Sequence, residues 1–257
     1  MIRFLPFLFL FISCKTAYVY QKPPEVSHAK DLQDKKVTLI GFCPYTVSSS
    51  SRVSGRVRTT TTTAVLAVNH CVKNKFEFGT PIEQQTYTGT RNDISEQATK
   101  DFLKEYLNDT KGAGVNELAP MLKEENKKIL LRKSDTDYYV MGITESPFGS
   151  KQTPLGFLFS LITIIPSLGT LGTIPTISQS ENTIKIKLYD KNFKFLKQYI
   201  YDNRTFWTIS SWWSENTEPE LIPSKLSHPK GSFTLAVKEF TNDFYRDLSD
   251  NSLKSPQ

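Results

Sequence analysis

The stretch IKIKLYDKNFKFLKQYIY, residues 184–201, alternates isoleucine or leucine with Lys185 and Lys187 and then breaks at the turn-forming DKNF. A further run, TFWTISSWW at residues 205–213, follows it. Period-two alternation around a turn is typical of a β-hairpin with one solvated face. The sequence therefore predicts an antiparallel meander here, with the lysines pointing outward.

Three earlier stretches predict more strands. The apolar run in KKVTLIGFCPY, residues 35–45, suits a strand that is buried on both faces, and DTDYYVMGITES, residues 135–146, is a second strong strand pattern. The threonines of TTTTTAVLAV, residues 59–68, are β-branched, so we expect a strand with one wet face that leads into buried Val65, Leu66 and Val68. The SSSSRVSG before it, residues 48–55, has the composition of a flexible loop.

Apolar residues at helical spacing predict about three amphipathic helices: residues 93–108, residues 117–132, and a last helix carrying Phe233, Val237, Phe240, Phe244 and Leu248. Together with the strands they predict an α+β fold, with a mixed or antiparallel sheet in a single domain over residues 36–248. We expect residues 249–257 to form a flexible tail.

The segment PLGFLFSLITIIPSLGTLGTIPTI, residues 154–177, contains no charged side chain. Its length would allow a membrane span, whereas its prolines and glycines argue against one continuous helix. A buried helix followed by an apolar loop, and an exposed patch that docks on a partner or enters the membrane surface, are the other interpretations. If the patch is exposed, the candidate interaction surface is Leu155, Phe157, Phe159, Trp207, Trp212 and Trp213.

The amino terminus has the layout of a signal peptide. A positive Arg3 precedes a nine-residue apolar run, and the small Ser13 precedes Cys14. We expect residues 1–13 to be removed and Cys14 to be acylated, which would anchor the protein to a membrane. Residues 14–35 would then be the lipid anchor and a tether, extended at its two prolines. A cleaved secretory signal with an incidental cysteine is the alternative.

Cys43 and Cys71 remain once Cys14 is assigned, and a disulfide or two buried thiols are both open. His70 adjoins Cys71, but a nucleophilic dyad of Cys43 and His70 has no orienting group marked in the sequence. The spacing of Cys43, His70 and Cys71 also does not suit zinc. The sequence contains no HExxH, GxSxG, P-loop or GxGxxG motif. We therefore predict no catalytic residue, no metal and no cofactor.

The chain of 257 residues has a net charge of +6 that is spread along its length, so nothing indicates a nucleic-acid partner. The cysteine after a small residue resembles the lipobox of bacterial lipoproteins, although Phe11 stands where leucine is usual. With GFCPY, DYYVMG, SLITIIPSLGTLGTIP, KLYDKNFKFLKQYIY and SSWW in this order, the chain resembles leptospiral lipoproteins of spirochaetes from Cys14 to about Trp213.

The resemblance implies placement in the cell envelope, by a lipid anchor and in the outer membrane, on either the periplasmic or the surface face. It implies no reaction. The sequence thus predicts a non-catalytic structural or partner-binding protein, held to the membrane by acylated Cys14, with an envelope protein or a host molecule as further partner. An envelope enzyme with an unrecognised site and a surface adhesin are the alternatives.

Overall fold

A computed structural model of the protein describes residues 15–20, 35–67, 69, 71, 73, 76, 78–125, 128–145, 151–211, 230–250 and 253. Helices and strands are mixed, and the largest sheet contains both parallel and antiparallel pairs, which confirms the predicted α+β class. The chain divides into two compact units. The smaller contains residues 1–22, 150–182 and 203–223, and the larger contains the rest.

The larger unit is built on a mixed sheet in the order β5–β2–β8–β10–β11. Strand β2 is parallel to β5 and β8, whereas β8 is antiparallel to β10. The predicted strands in residues 35–45 and 135–146 are confirmed, and so is the hairpin that begins at residue 184. The predicted third run, TFWTISSWW, is not a separate strand of a meander, because residues 205–211 continue the preceding strand without a break. The strands are β2 (Val37–Gly41), β5 (Thr80–Pro81), β8 (Tyr138–Thr144), β10 (Thr176–Asp190) and β11 (Phe195–Ser211).

Two helices contribute to the cores on the two faces of this sheet: α1 (Glu96–Asp109) and α4 (Lys230–Ser249). Leu39 belongs to the core that contains Phe240 and Phe244 of α4. The next residue, Ile40, belongs to the core that contains Phe102 and Tyr106 of α1. Successive strand side chains point to opposite faces, so β2 is apolar throughout because both of its faces are covered.

A long hairpin, β3 (Tyr45–Ser54) with β4 (Val57–Leu66), corrects two expectations. The serines at 48–51 form a strand instead of a loop, because hydroxyl pairs such as Ser48 with Thr63, at 2.8 Å, join the two strands. The threonine run is exposed on both faces, and Val65, expected to be buried, is 56% exposed. The hairpin therefore extends past the core instead of covering it.

The helix predicted for residues 117–132 is wrong. Only α2 (Val115–Leu118) is helical, followed by a 3-10 turn at Ala119–Met121 and the strand pair β6 (Leu122–Glu125) and β7 (Lys128–Leu131). Pro120 lies in the turn, where it cannot donate the backbone hydrogen bond that a continuing helix needs.

The smaller unit contains β1 (Lys15–Tyr20), β9 (Lys151–Gln152), helix α3 (Pro154–Gly169), the beginning of β10 and the end of β11. Strand β1 pairs antiparallel with β11 from Lys15↔Ser211 to Tyr20↔Phe206. Residues 15–20 are therefore part of a sheet, in contrast to the free tether predicted there. Residues 1–14 and 21–34 lie outside the described residues, as does most of the predicted tail.

Candidate interaction surface

Helix α3 has clear start and stop signals. The Thr153 hydroxyl accepts a hydrogen bond from the Gly156 N–H at 2.9 Å, and Pro154 occupies the first helical position. At the other end the Gly172 N–H donates to the Ser167 carbonyl at 2.7 Å, while Leu171 takes a left-handed φ of 54°. The segment is thus a defined helix of 16 residues, although Pro166 lies within it.

The side of α3 that packs on β10 is made of small and polar residues. A Cβ on Gly156 would lie 2.0 Å from the Gln179 carbonyl oxygen, so only glycine fits there. Further along the helix, the Thr163 hydroxyl accepts a hydrogen bond from the Ile177 N–H at 3.0 Å. Ser160 donates to the Ile177 carbonyl at 3.4 Å, and Ser167 is buried. The inward stripe is therefore held by backbone contacts and hydrogen bonds.

The other sides of α3 and the turn after it are apolar and exposed. We call this the α3 surface, and its residues, with their exposed fractions, are Leu155 48%, Phe157 56%, Leu158 51%, Phe159 36%, Leu161 50%, Ile162 60%, Ile164 46%, Ile165 75%, Leu168 71%, Leu171 60% and Ile174 41%. A helix on a water-soluble protein normally turns its apolar side inward and its polar side outward. In α3 the polarity is inverted, and exposed apolar area on this scale marks an interaction site.

Of the three interpretations left open for residues 154–177, the structure matches the exposed patch. The predicted surface residues Leu155, Phe157 and Phe159 are on α3 and exposed. Trp207 on β11 lies beside them, with its ring centroid 5.4 Å from that of Phe159. Trp212 and Trp213 lie outside the described residues.

None of the helices that the structure describes combines the length and the apolar character that crossing a membrane requires.

A buried ionic cluster in the larger unit was not predicted. The fully buried Glu117 carboxylate receives the Lys73 ammonium group, the Tyr106 hydroxyl and, at 2.7 Å, the Gly41 N–H. Lys73, itself 4% exposed, also contacts Glu83 at 2.7 Å. Burial, followed by the neighbouring Glu117 carboxylate, raises the pKa of Tyr106 well above its ordinary value. Both carboxylate oxygens of Glu117 interact with groups of the protein itself, so the cluster has a structural role.

The Cys43–Cys71 pair, left open above, is joined by a disulfide. Its closed loop spans a separation of 28 residues, which corresponds to about 3.6 kcal/mol on the chain-entropy model. Because the Cys43 sulfur is bonded to Cys71, it is not available as the nucleophile of a dyad, and His70 lies outside the described residues. The disulfide and the ionic cluster fasten the same segments, since Gly41 and Lys73 are two residues from the bridged cysteines.

Lys187 departs from the outward orientation predicted for the lysines of the meander. It is 7% exposed and contacts Glu105 at 2.7 Å and Asp109 at 2.6 Å, both on α1. The alternating pattern could not indicate this, because the partner carboxylates come from an element about 80 residues earlier in the chain.

Within the described ranges, no three or more His, Cys, Asp or Glu side chains are grouped so that they could hold a metal ion. Cys14, the predicted acylation site, precedes the first described residue.

Comparison with known proteins adds no relative: no protein-family model matches the chain, and neither a curated protein nor a solved structure matches it significantly. The resemblance to spirochaetal lipoproteins stays a prediction from the motifs.

Proposed function

We propose that this protein is a lipid-anchored cell-envelope protein with a structural or binding role, and that it performs this role without catalysis. Acylated Cys14 anchors the protein in the outer membrane of the cell envelope. The α3 surface makes the functional contact, with a partner molecule or with lipid. The proposal rests on one observation above all, the inverted polarity of α3, whose apolar side chains point into solvent. A partner or a lipid phase that covers them would remove this surface from water.

The amino-terminal sequence supports the anchor independently. A nine-residue apolar run directly before Ser13 and Cys14 suits a cleaved signal followed by an acylated thiol. Several acyl chains, each contributing about 0.8 kcal/mol per buried CH₂, give stable attachment.

Metabolic labelling with palmitate tests the anchor. We expect the wild-type chain to be labelled and to fractionate with membranes, and Cys14→Ala to lose the label. Cys71→Ser is the matched control, since it removes a cysteine that is bonded to Cys43 and should keep the label. An amino-terminal peptide without acyl mass in the wild-type protein, or an unchanged label in Cys14→Ala, would refute the proposal.

A further inference from the structure

We infer that the α3 surface lies in the bilayer itself, beside the acyl chains of Cys14, as a second attachment point of the protein. This inference rests on the proposed function, because it uses the anchor at residue 14. The inference specifies that lipid covers the α3 surface, and not a protein partner or a second copy of the chain.

The first reason is the distribution of apolar residues around the helix. A helix that docks on a protein partner needs an apolar stripe on one side and keeps a polar side toward water. In α3 the only polar stripe, with Gly156, Thr163 and Ser167, already packs inward, and the remaining circumference is apolar. No charged residue occurs between Lys151 and Glu181. Small residues at the packed side and large apolar residues elsewhere are the arrangement of helices in lipid.

The second reason is the position of strand β1, which follows Cys14 directly in the sequence. Thr16 pairs with Ser210 on β11, and the Ser210 carbonyl accepts a hydrogen bond from the Thr176 hydroxyl at 3.4 Å. These three residues therefore form a row across adjacent strands, which spans about 10 Å at the usual strand spacing. Lys15, the first described residue and the neighbour of Cys14 in the sequence, pairs with Ser211 and is accordingly level with the chain just before Thr176.

The third reason is the direction of α3. Gly156 is level with Gln179 and Thr163 with Ile177, so the helix runs antiparallel to β10 and its last turns extend beyond the beginning of that strand. The part of the helix from Thr163 to Gly169 is about 9 Å long at the helical rise of 1.5 Å per residue. The most exposed residues of α3, Ile165 at 75% and Leu168 at 71%, lie in this part. Lys15, which directly follows the proposed acylation site in the sequence, and the most exposed apolar turn are therefore at the same end of the smaller unit.

The length of α3 fits an orientation within one leaflet. Sixteen residues give about 24 Å, less than the roughly 30 Å of a bilayer's hydrocarbon core. An interfacial helix buries its apolar residues at the level of the headgroups and upper acyl chains.

Photocrosslinking from lipid tests the inference. The acylated protein is reconstituted in vesicles of phosphatidylethanolamine and phosphatidylglycerol that contain a diazirine-bearing phospholipid, and labelled peptides are located by mass spectrometry. We expect label within residues 154–174. The β3–β4 hairpin provides an internal control, because Val53 and Val57 are 67% and 65% exposed but stand among arginine, serine and threonine residues, so we expect no label there.

Two variants sharpen the result. Ile165→Lys combined with Leu168→Lys changes only exposed side chains, so circular dichroism should show a native fold. We expect the label in α3 to fall about tenfold, since lysine is expelled from hydrocarbon. Val53→Lys combined with Val57→Lys should leave it unchanged.

The same digest separates the two proposals. An acylated amino terminus with unlabelled α3 overturns the inference and leaves the anchor intact. An amino terminus without acyl mass counts against the proposed function itself.

Discussion

The interior of the larger unit and helix α3 of the smaller unit break the usual division between polar outside and apolar inside in opposite ways. The larger unit buries a lysine and a glutamate, Lys73 and Glu117, among apolar cores. Helix α3 exposes seven leucine and isoleucine residues and two phenylalanines to solvent, and the turn after it exposes Leu171 and Ile174. The buried charges are tolerated because each of them has a partner of opposite charge. Helix α3 is stable because its small inward residues let it pack closely against β10. A buried ion pair thus indicates an interaction that stabilises the fold. An exposed apolar surface indicates an interaction with another molecule or with lipid.

Among the buried ionic groups and exposed apolar residues of this comparison, the largest expected effect is on the buried side. Glu117→Ala would leave the Lys73 ammonium group with Glu83 alone and remove the acceptor of the Gly41 N–H and the Tyr106 hydroxyl. We expect the free energy of unfolding to fall by about 3 kcal/mol, because one partner of a buried ion pair is lost. Chemical denaturation monitored by circular dichroism measures this change.

Glu96→Ala is the matched control. Glu96 also pairs with a lysine, Lys100, but on the solvated side of α1, where such a pair is worth about 0.5 kcal/mol or less. Equal losses in the two variants would show that burial does not distinguish the pairs.

A second effect concerns the pH dependence of the larger unit. Burial, followed by Asp243, raises the pKa of Tyr201, whose hydroxyl donates to the Asp243 carboxylate at 3.0 Å. The unfolded chain releases this proton near pH 10.0 whereas the folded chain keeps it, so the unfolded state binds fewer protons above that pH. Stability contributed by Tyr201 is therefore complete below about pH 10 and declines above it, by about 1.4 kcal/mol per pH unit.

Denaturation curves of wild type and Tyr201→Phe at about pH 9 and pH 11 test this. Between these two pH values the free energy of unfolding of Tyr201→Phe should fall by less than that of wild type. The difference is the contribution of Tyr201, about 1.4 kcal/mol for the pH unit above pH 10. Parallel losses in both proteins would contradict a neutral buried Tyr201. The α3 surface has no titratable side chain, so vesicle labelling of residues 154–174 should be the same at both pH values.

The smallest expected effect is on the exposed side. Ile165→Ser removes an apolar side chain that is 75% exposed, so we expect the free energy of unfolding to change by about 0.5 kcal/mol or less. Phe240→Ala, at a fully buried position of α4, should cost about 3 to 5 kcal/mol in the same assay. If Ile165→Ser proves as costly as Phe240→Ala, Ile165 is covered within the protein and the comparison fails.

The elements with strong periodicity could be predicted from the sequence. The patterns around β2, β8 and α1 each specify one kind of element, because several consecutive side chains agree with it. Residues 117–132 could not be assigned in the same way, since their spaced leucines and isoleucines fit a helix or a hairpin. The strands β6 and β7 are defined by their pairing with each other, such as Leu122 with Leu131.

The buried ionic cluster and the α3 surface differ in how far the sequence alone could predict them. Lys73 and Glu117 are 44 positions apart, and no local pattern connects them. The α3 surface left a signal, because Gly156, Ser160, Thr163 and Ser167 recur at spacings of four, three and four among large apolar residues. That stripe indicates which side packs, but its strand partner appears only once β10 is in place.

The pairing of β1 with β11 has a mechanical consequence. Because Lys15 already belongs to the sheet, opposite Ser211, a pull on the backbone at residue 14 reaches the β-ladder after a single peptide bond. If Cys14 is the membrane anchor proposed here, tension from a moving or curving membrane would load the β1–β11 hydrogen bonds directly. The six residue pairs of β1 and β11 would then set how much force the protein withstands before this strand detaches.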